Sequence, residues 1–233
     1  MLRSVLKKVY RKTRNIISGL KSEPAPDLTS YLSKNEIARI HNLPRRVRSS
    51  VTLFNKEINF PDGFWFCHSM KEIFVEEVYK FWSPTKTPYI IDCGANIGLS
   101  VIYFKRMYPS ATLIAFEPDE TIFKQLEINI AQFNYDNVQL LNKGVWNDET
   151  TLSFLAEGTL GGRIIDSETK TSSKVISIHT VRLRNYLTRK VDFLKIDIEG
   201  SEYEVLVDCA DLLKNVEFLF VEYSYLCNHH LQF

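Results

Sequence analysis

The 233-residue chain predicts an α/β fold built on a mostly parallel sheet with helices on both faces. Three observations predict it. From residue 88 onward, strand-like and helix-like segments alternate regularly. The strand-like segments, among them "YIIDCG" and "VDFLKID", are apolar along their length, as expected of a sheet buried on both faces. Finally, "IIDCGANIGLS" (90–100) ends a strand in an acid, two glycines and an asparagine before a helix begins, the pattern of a strand that stops at a ligand.

Taken in order, residues 1–50 read as a basic helical arm and linker. "MLRSVLKKVYRKTRNIISGL" spaces Leu2, Val5, Leu6, Val9, Ile16, Ile17 and Leu20 at close to helical intervals, with Lys and Arg between them and Ser18-Gly19 as a stop. Such an amphipathic helix suits an anionic membrane surface, so peripheral membrane contact through residues 1–20 is one expectation; docking on its own domain is the other. "KSEPAPD" (21–27) is a linker by composition, and 28–48 reads as helical and then basic, ending in "PRRVR".

Residues 51–84 read as a small β-hairpin plus a helix. The β-like runs are "SVTLFNKEINF" and "GFWFC", turned at Pro61-Asp62-Gly63, and the helix 69–82 opens at Ser69 with Glu72 completing a capping box.

Residues 85–233 carry the α/β core. Strand "YIIDCG" leads to helix 97–107, which stops before Pro109. Strand "ATLIAFEP" leads to helix 119–134, whose first turn Asp119 caps. "NVQLLNKGVW" follows, then the β-rich runs "TTLSFLA" and "KVISIHTVRL" around a Gly/Ser/Thr loop. "VDFLKIDIEG" then leads to helix 201–214, and "VEFLFVEYSY" is the last strand.

Charge narrows the function classes. The net charge is only +1, which gives the whole molecule no electrostatic case for gripping nucleic acid. Residues 1–21 hold seven Lys or Arg and no acid, so the other 212 residues carry −6. No run of about 18 apolar residues is present, and no apolar stretch follows the charged start as a signal peptide requires. The four cysteines are widely separated, with no C-x-x-C pair, which suits packing residues in a reduced cytoplasmic protein.

In open parallel sheets, ligands bind beyond the carboxyl ends of the strands. Here those ends carry Asp92, Gly94, Asn96 and Gly98, then Glu117, then Asp197 and Glu199, then Glu222. So many acids are out of place in a phosphate pocket. A dinucleotide loop needs G-x-G-x-x-G, but Asn96 stands at the middle glycine and Leu99 at the third. Asn tolerates a left-handed backbone better than most residues, so the turn survives. The pattern D-x-G-x-N-x-G suits a sulfonium cofactor. Glu117, 19 residues after Gly98, is placed to accept two ribose hydroxyls, a role shared by nicotinamide and sulfonium cofactor sites.

Taken together, "IIDCGANIGLSVIYF", "IAFEPDE", "NKGVWND", "GGRI" and "VDFLKIDIEGSEYEVL" resemble the FkbM family of class I S-adenosylmethionine-dependent methyltransferases over about residues 50–225. The resemblance implies a Rossmann-like sheet in the order 3-2-1-4-5 with an antiparallel 7-6 edge, and methyl transfer to a hydroxyl of a sugar, glycan or other hydroxylated metabolite. It implies that Asp92, Gly94, Asn96 and Gly98 hold the methionine half of the cofactor and that Glu117 holds the ribose. Pro118 and Asp119 then lie beside the adenine, which Gly144 and Val145 wall. Asp197, with Glu199 next to it, sits where acceptor and cofactor meet. The chain departs from the family in two places. Ser224 replaces a histidine two residues after Glu222, and only eight residues follow Tyr225. The C-terminal strand pair is therefore expected to be missing, its place taken by the hairpin at 51–67 or by another copy of the chain.

Methyl transfer from a sulfonium asks the protein mainly for alignment and a dry pocket. A base assists an alcohol acceptor, and Asp197 or Glu199, raised by burial beside other acids, is the candidate. A divalent metal on Asp197, Glu199 and Glu222 is an alternative use of the same oxygens. Arg163, in the "GGRI" loop, is a candidate contact for an acidic group on the acceptor. Trp65, Phe66, Trp82 and Trp146 are expected in the core or the cofactor wall. Two further readings stay open: an NAD(P)-dependent oxidoreductase, and a non-catalytic scaffold that binds the cofactor.

Overall fold

The computed structural model describes residues 27–156, 163–164 and 174–222. The expected basic helix at 1–20, the Gly161-Gly162 pair and Ser224 lie outside those residues.

The first described α-helix, α1 (Lys34–His41), starts where Ser33 accepts a hydrogen bond from the Glu36 amide. A hairpin follows, β1 (Ser49–Leu53) paired antiparallel with β2 (Lys56–Phe60). Its turn is Phe54-Asn55, both at positive φ (+53° and +62°), and not Pro61-Asp62-Gly63 as the sequence suggested. "GFWFC" is a helix rather than a strand: α2 (Gly63–Met70) begins on Asp62, whose carboxylate accepts the Trp65 amide. Aromatic residues favour strands only when a sheet is there to receive them, whereas here the cap and the burial of Phe66, Cys67 and Met70 select the helix. Ser69 therefore lies inside a helix and opens none. The chain runs directly on into a π-helical turn, Lys71–Val75, and Trp82 is 65% exposed, outside the core expected for it.

The core elements are β3 (Tyr89–Cys93), α3 (Leu99–Met107), β4 (Thr112–Phe116), α4 (Glu120–Ala131) and β5 (Val138–Leu141). A β-rich insertion follows, made of β6 (Gly144–Trp146), β7 (Thr151–Ala156), β8 (Arg163–Ile164) and β9 (Lys174–Arg182). The core resumes with β10 (Val191–Ile196), α5 (Glu202–Asp208) and β11 (Val216–Val221). Five parallel strands stand in the order β11-β10-β3-β4-β5. Numbered along the core, that is the 3-2-1-4-5 order seen from its other edge. The insertion forms a second sheet, β6-β9-β7-β8, in which β6 and β9 are parallel and the other pairs antiparallel.

An antiparallel 7-6 edge would fall after Glu222, outside the described residues. The N-terminal hairpin does not take its place: β1 and β2 form a two-stranded sheet of their own. The hairpin docks instead on α4, where the Asn59 amide donates to Asn129 Oδ1 (2.8 Å) and Asn129 Nδ2 donates to the Asn59 and Ile97 carbonyls (both 2.9 Å). One apolar cluster joins Phe60 and Phe66 of the N-terminal segment to Ile90, Phe104 and Phe193 of the sheet, so the segment shares the core's interior. On the other face, Ile91, Cys93, Leu194, Ile196 and Val205 form a second cluster. Cys67, Cys93 and Cys209 are free and buried. Among the described residues no helix is long and apolar enough to cross a membrane.

Candidate active site

The strand order reverses between β3 and β10, and there the chain opens a crevice at the carboxyl ends of the strands. Gly94 leaves β3 at φ +93°, and a Cβ there would lie 1.9 Å from the Asp197 carbonyl oxygen, so only glycine passes. The Gly94 and Ala95 amides both donate to the Phe116 carbonyl, at 3.0 and 2.8 Å, tying the loop to the end of β4. Asn96 takes the left-handed region at φ +48°, and its amide donates to Glu117 Oε2 at 3.0 Å. Gly98 at φ +96° starts α3 where a Cβ would meet Leu126 Cδ1 at 2.8 Å.

Glu117 is 7% exposed and accepts the Asp119 amide on Oε1 (2.9 Å) opposite Asn96 on Oε2. Burial pushes its carboxyl up to about 7; the two amides and Lys195 pull the other way, and the Asp119 carboxylate pushes with burial. Asp119 itself caps α4, accepting the Thr121 and Ile122 amides.

Beside the loop lies a buried cation. Lys195, 2% exposed, donates to the Gly94 carbonyl at 2.7 Å and stands 3.1 Å from Asp197 Oδ2 and 3.3 Å from Asp92 Oδ1. Asp92 Oδ2 accepts the Ser100 hydroxyl at 2.5 Å, while Oδ1 has no hydrogen-bond donor among the described residues. After β10, Glu199 turns through φ +55°, and Glu202 reaches back to accept the Ile198 and Gly200 amides. Glu222, at the end of β11, is pushed up to about 7, by partial burial first and then by Asp197, Glu72 and Glu199.

These pieces line one cavity of about 460 Å³. Of the residues singled out from sequence, Gly94, Asn96, Glu117, Pro118, Asp119, Gly144, Val145, Asp197, Glu199 and Glu222 line it. Asp92 and Gly98 stand behind that lining, Asp92 against Lys195 and Gly98 against α4. Asp197, Glu199 and Glu222 do not gather as a metal site: among the described residues no group of three His, Cys, Asp or Glu side chains does so.

Trp65 and Phe66, expected in the core or the cofactor wall, line the cavity. The sequence reading missed their neighbours: Phe60, Asp62, His68, Ser69, Glu72 and Tyr79 line it too. His68 Nε2 lies 3.3 Å from Glu72 Oε1, one helical turn apart. The available signal was Asp62, an N-cap residue directly before an apolar run.

The site fits an S-adenosylmethionine-type ligand on its own geometry. It has a backbone cradle that no Cβ can enter, a buried carboxylate poised at the loop, and acids at the strand ends that line the cavity. Residues 92–233 match the family model described as the methyltransferase FkbM domain. The chain is 30% identical over 177 residues to methyltransferase sdnD of Sordaria araneosa, covering 58% of this chain and 66% of that one. It is 28% identical over 159 residues to methyltransferase 1 of Beauveria bassiana, covering 58% and 64%. The 2-O-methyltransferase NoeI of Sinorhizobium fredii is 24% identical over 156 residues, covering 59% and 63%. The match thus spans slightly under two thirds of each of these relatives.

Proposed function

The chain belongs to the FkbM methyltransferase family, and from that premise we propose that it is an S-adenosylmethionine-dependent O-methyltransferase acting on a hydroxyl of a saccharide or other hydroxylated metabolite. The observation that carries this reading is the loop Gly94–Gly98 bound to Glu117: three left-handed positions and an amide-to-carboxylate hydrogen bond between the ends of β3 and β4. The nicotinamide alternative gives way to the family match. Support for oxygen as the acceptor comes from the acids at the strand ends and from a relative that is a 2-O-methyltransferase.

In this reading Gly94 and Asn96 hold the methionine half, with Asp92 and Gly98 shaping the loop from behind, Glu117 takes the ribose hydroxyls, and Pro118, Asp119, Gly144 and Val145 enclose the adenine. The bound cofactor supplies the methyl group. Asp197 and Glu199 face the acceptor, with Glu222 beside them on the neighbouring strand. The acceptor's hydroxyl proton passes to this carboxylate group, in which Glu222, near 7, matches the working pH of a general base. The wall from Trp65 to Glu72 precedes the residues matched by the family model, so it is the part of the cavity that gives this chain its own acceptor preference.

Calorimetric titration with S-adenosylhomocysteine tests the reading. Ionised Glu117 accepts hydroxyl donors on both oxygens, whereas protonated Glu117 accepts more weakly and turns one oxygen into a donor, so affinity rises from pH 6 to pH 8 and levels off above Glu117's value of about 7. Glu117→Gln loses that pH dependence and about 100-fold in affinity, the cost of a charge-assisted pair of hydrogen bonds. The absence of both heat and thermal shift with wild type would refute the reading.

A further inference from the structure

We propose that Asp92, Lys195 and Asp197 form a partly buried cluster of net charge −1 that makes the site prefer the cationic methyl donor over its neutral demethylated product. This inference rests on the reading of the cavity as an S-adenosylmethionine site and goes beyond it, because it assigns donor-over-product selectivity to three side chains.

Two carboxylates share one ammonium. Lys195 has all its reach committed, to the Gly94 carbonyl (2.7 Å), Asp197 Oδ2 (3.1 Å) and Asp92 Oδ1 (3.3 Å). It stays charged: burial pulls the ammonium down, but Asp197 and Asp92 outweigh burial and hold it well above the usual lysine range. One negative charge is left over, and it reaches the cavity through Asp197, whose side chain is 23% exposed and lines it, while Asp92, with no exposed surface, holds Lys195 from behind. An excess charge in a partly buried site is costly, and an incoming cation relieves that cost.

The cluster lies directly under the loop, since Lys195 holds the carbonyl of Gly94 while Asp197 lines the cavity. S-adenosylmethionine carries one more positive charge than S-adenosylhomocysteine, so it matches the leftover charge and the product does not. The same three residues would then loosen the product once the methyl group has gone. Other groups face the cluster. Tyr79 stays a neutral phenol, because burial raises it far above its usual value, and Glu202 is held by backbone amides. Glu117 and Glu222, both near 7, are mostly protonated at pH 6; Glu72, Asp119 and Glu199 also line the cavity, and the comparison of variants at one pH holds their contribution constant.

The test is calorimetric titration of the full chain at pH 6 with S-adenosylmethionine and, separately, with S-adenosylhomocysteine. Wild type is expected to bind the donor about tenfold more tightly than the product, the scale of one charge pair across a partly buried site. Asp197→Asn keeps an oxygen for Lys195 but removes the leftover charge. It is expected to bring the ratio to about one by weakening the donor while the product changes by less than about twofold. Asp92→Asn removes the same charge from the far side of Lys195 and is expected to act alike, with melting temperatures confirming that both variants fold. An unchanged ratio, or equal losses for both ligands in both variants, overturns the proposal. Failure of wild type to bind either ligand overturns the cofactor reading instead, and this inference falls with it.

Discussion

The loop Gly94–Gly98 and the wall from Phe60 to Val75 line the same cavity, yet they are specified by different physics. The loop is dictated by its own backbone. Positions 94, 96 and 98 all sit at positive φ, and each holds a residue that accepts it, Gly, Asn and Gly. The wall is dictated from a distance. Asp62, 1% exposed, accepts the Arg46 amide at 2.7 Å, Arg45 Nε at 2.9 Å and the Trp65 amide at 3.2 Å, and so joins a segment 16 residues upstream to the start of α2. Local constraint is visible in a short stretch of sequence; a constraint made of partners far apart in the chain is not.

The comparison breaks most visibly at Gly94. Gly94→Ala would set a methyl carbon 1.9 Å from the Asp197 carbonyl oxygen in a backbone region that L side chains rarely adopt. Backbone cannot yield as a flexible side chain can, so β3 and β10 must part at their ends. The expected result is a loss of about 3 kcal/mol or more in urea unfolding and no detectable binding of S-adenosylhomocysteine. Near-normal binding would mean that the loop is shaped from elsewhere, and the contrast with the wall would disappear.

Asp62→Ala tests the other region. It removes the cap of α2 and strands the Arg46 amide, at an expected cost of about 2–4 kcal/mol. Burial works against the Asp62 carboxylate, but the hydrogen bonds from Arg46, Arg45 and Trp65 outweigh it and hold the group below its usual value. A depressed carboxyl stabilises the fold above its unfolded pKa and stops doing so as pH falls through the folded one. The stability gap between wild type and Asp62→Ala therefore narrows on acidification through the carboxylate range, as urea titrations at pH 7 and pH 3 would read. Because the glycine loop is fixed without Asp62, affinity for S-adenosylhomocysteine should change by less than about threefold, the scatter expected of sites that share no partner. A larger loss would show that the wall positions the cofactor as well as the acceptor.

What was legible follows the same division. The alternating strands and helices, the αL loop and the Asp119 cap come from short runs whose partners lie within a few residues, and all are visible in the sequence; the strand order came only from the family resemblance. The helix at Gly63–Met70 was hidden because five apolar and aromatic residues in a row suit a strand as well as a helix. The Asp62 cap and the burial of Phe66 against Phe60, with ring centroids 4.5 Å apart, decide between them. That Lys195 bridges three groups was not legible. Gly94 lies 101 residues away in the chain, and only the parallel pairing of β3 with β10 brings the two together. Glu222 stood out as one acid among several; that burial and three neighbouring acids bring it near 7 depends on where the strands end in space.

The smallest effect is expected in the hairpin turn that precedes the wall, and it sharpens the contrast. The hairpin turn places both Phe54 and Asn55 at positive φ. A bulky aromatic there is strained, yet Phe54 is held by Tyr31 and Phe74, 6.1 and 5.6 Å away between ring centroids, and by the Arg106 guanidinium 3.5 Å over its ring. Tertiary contacts thus enforce the turn, and Asn55 merely tolerates it. Asn55→Gly relieves the left-handed backbone but adds chain entropy to the unfolded state, two terms of opposite sign that leave stability within about 0.5 kcal/mol. Binding of S-adenosylhomocysteine should not change. If urea unfolding instead shows a loss on the order of 2 kcal/mol, the Asn55 side chain itself carries the turn. The N-terminal segment would then be locally specified after all, as the glycine loop is.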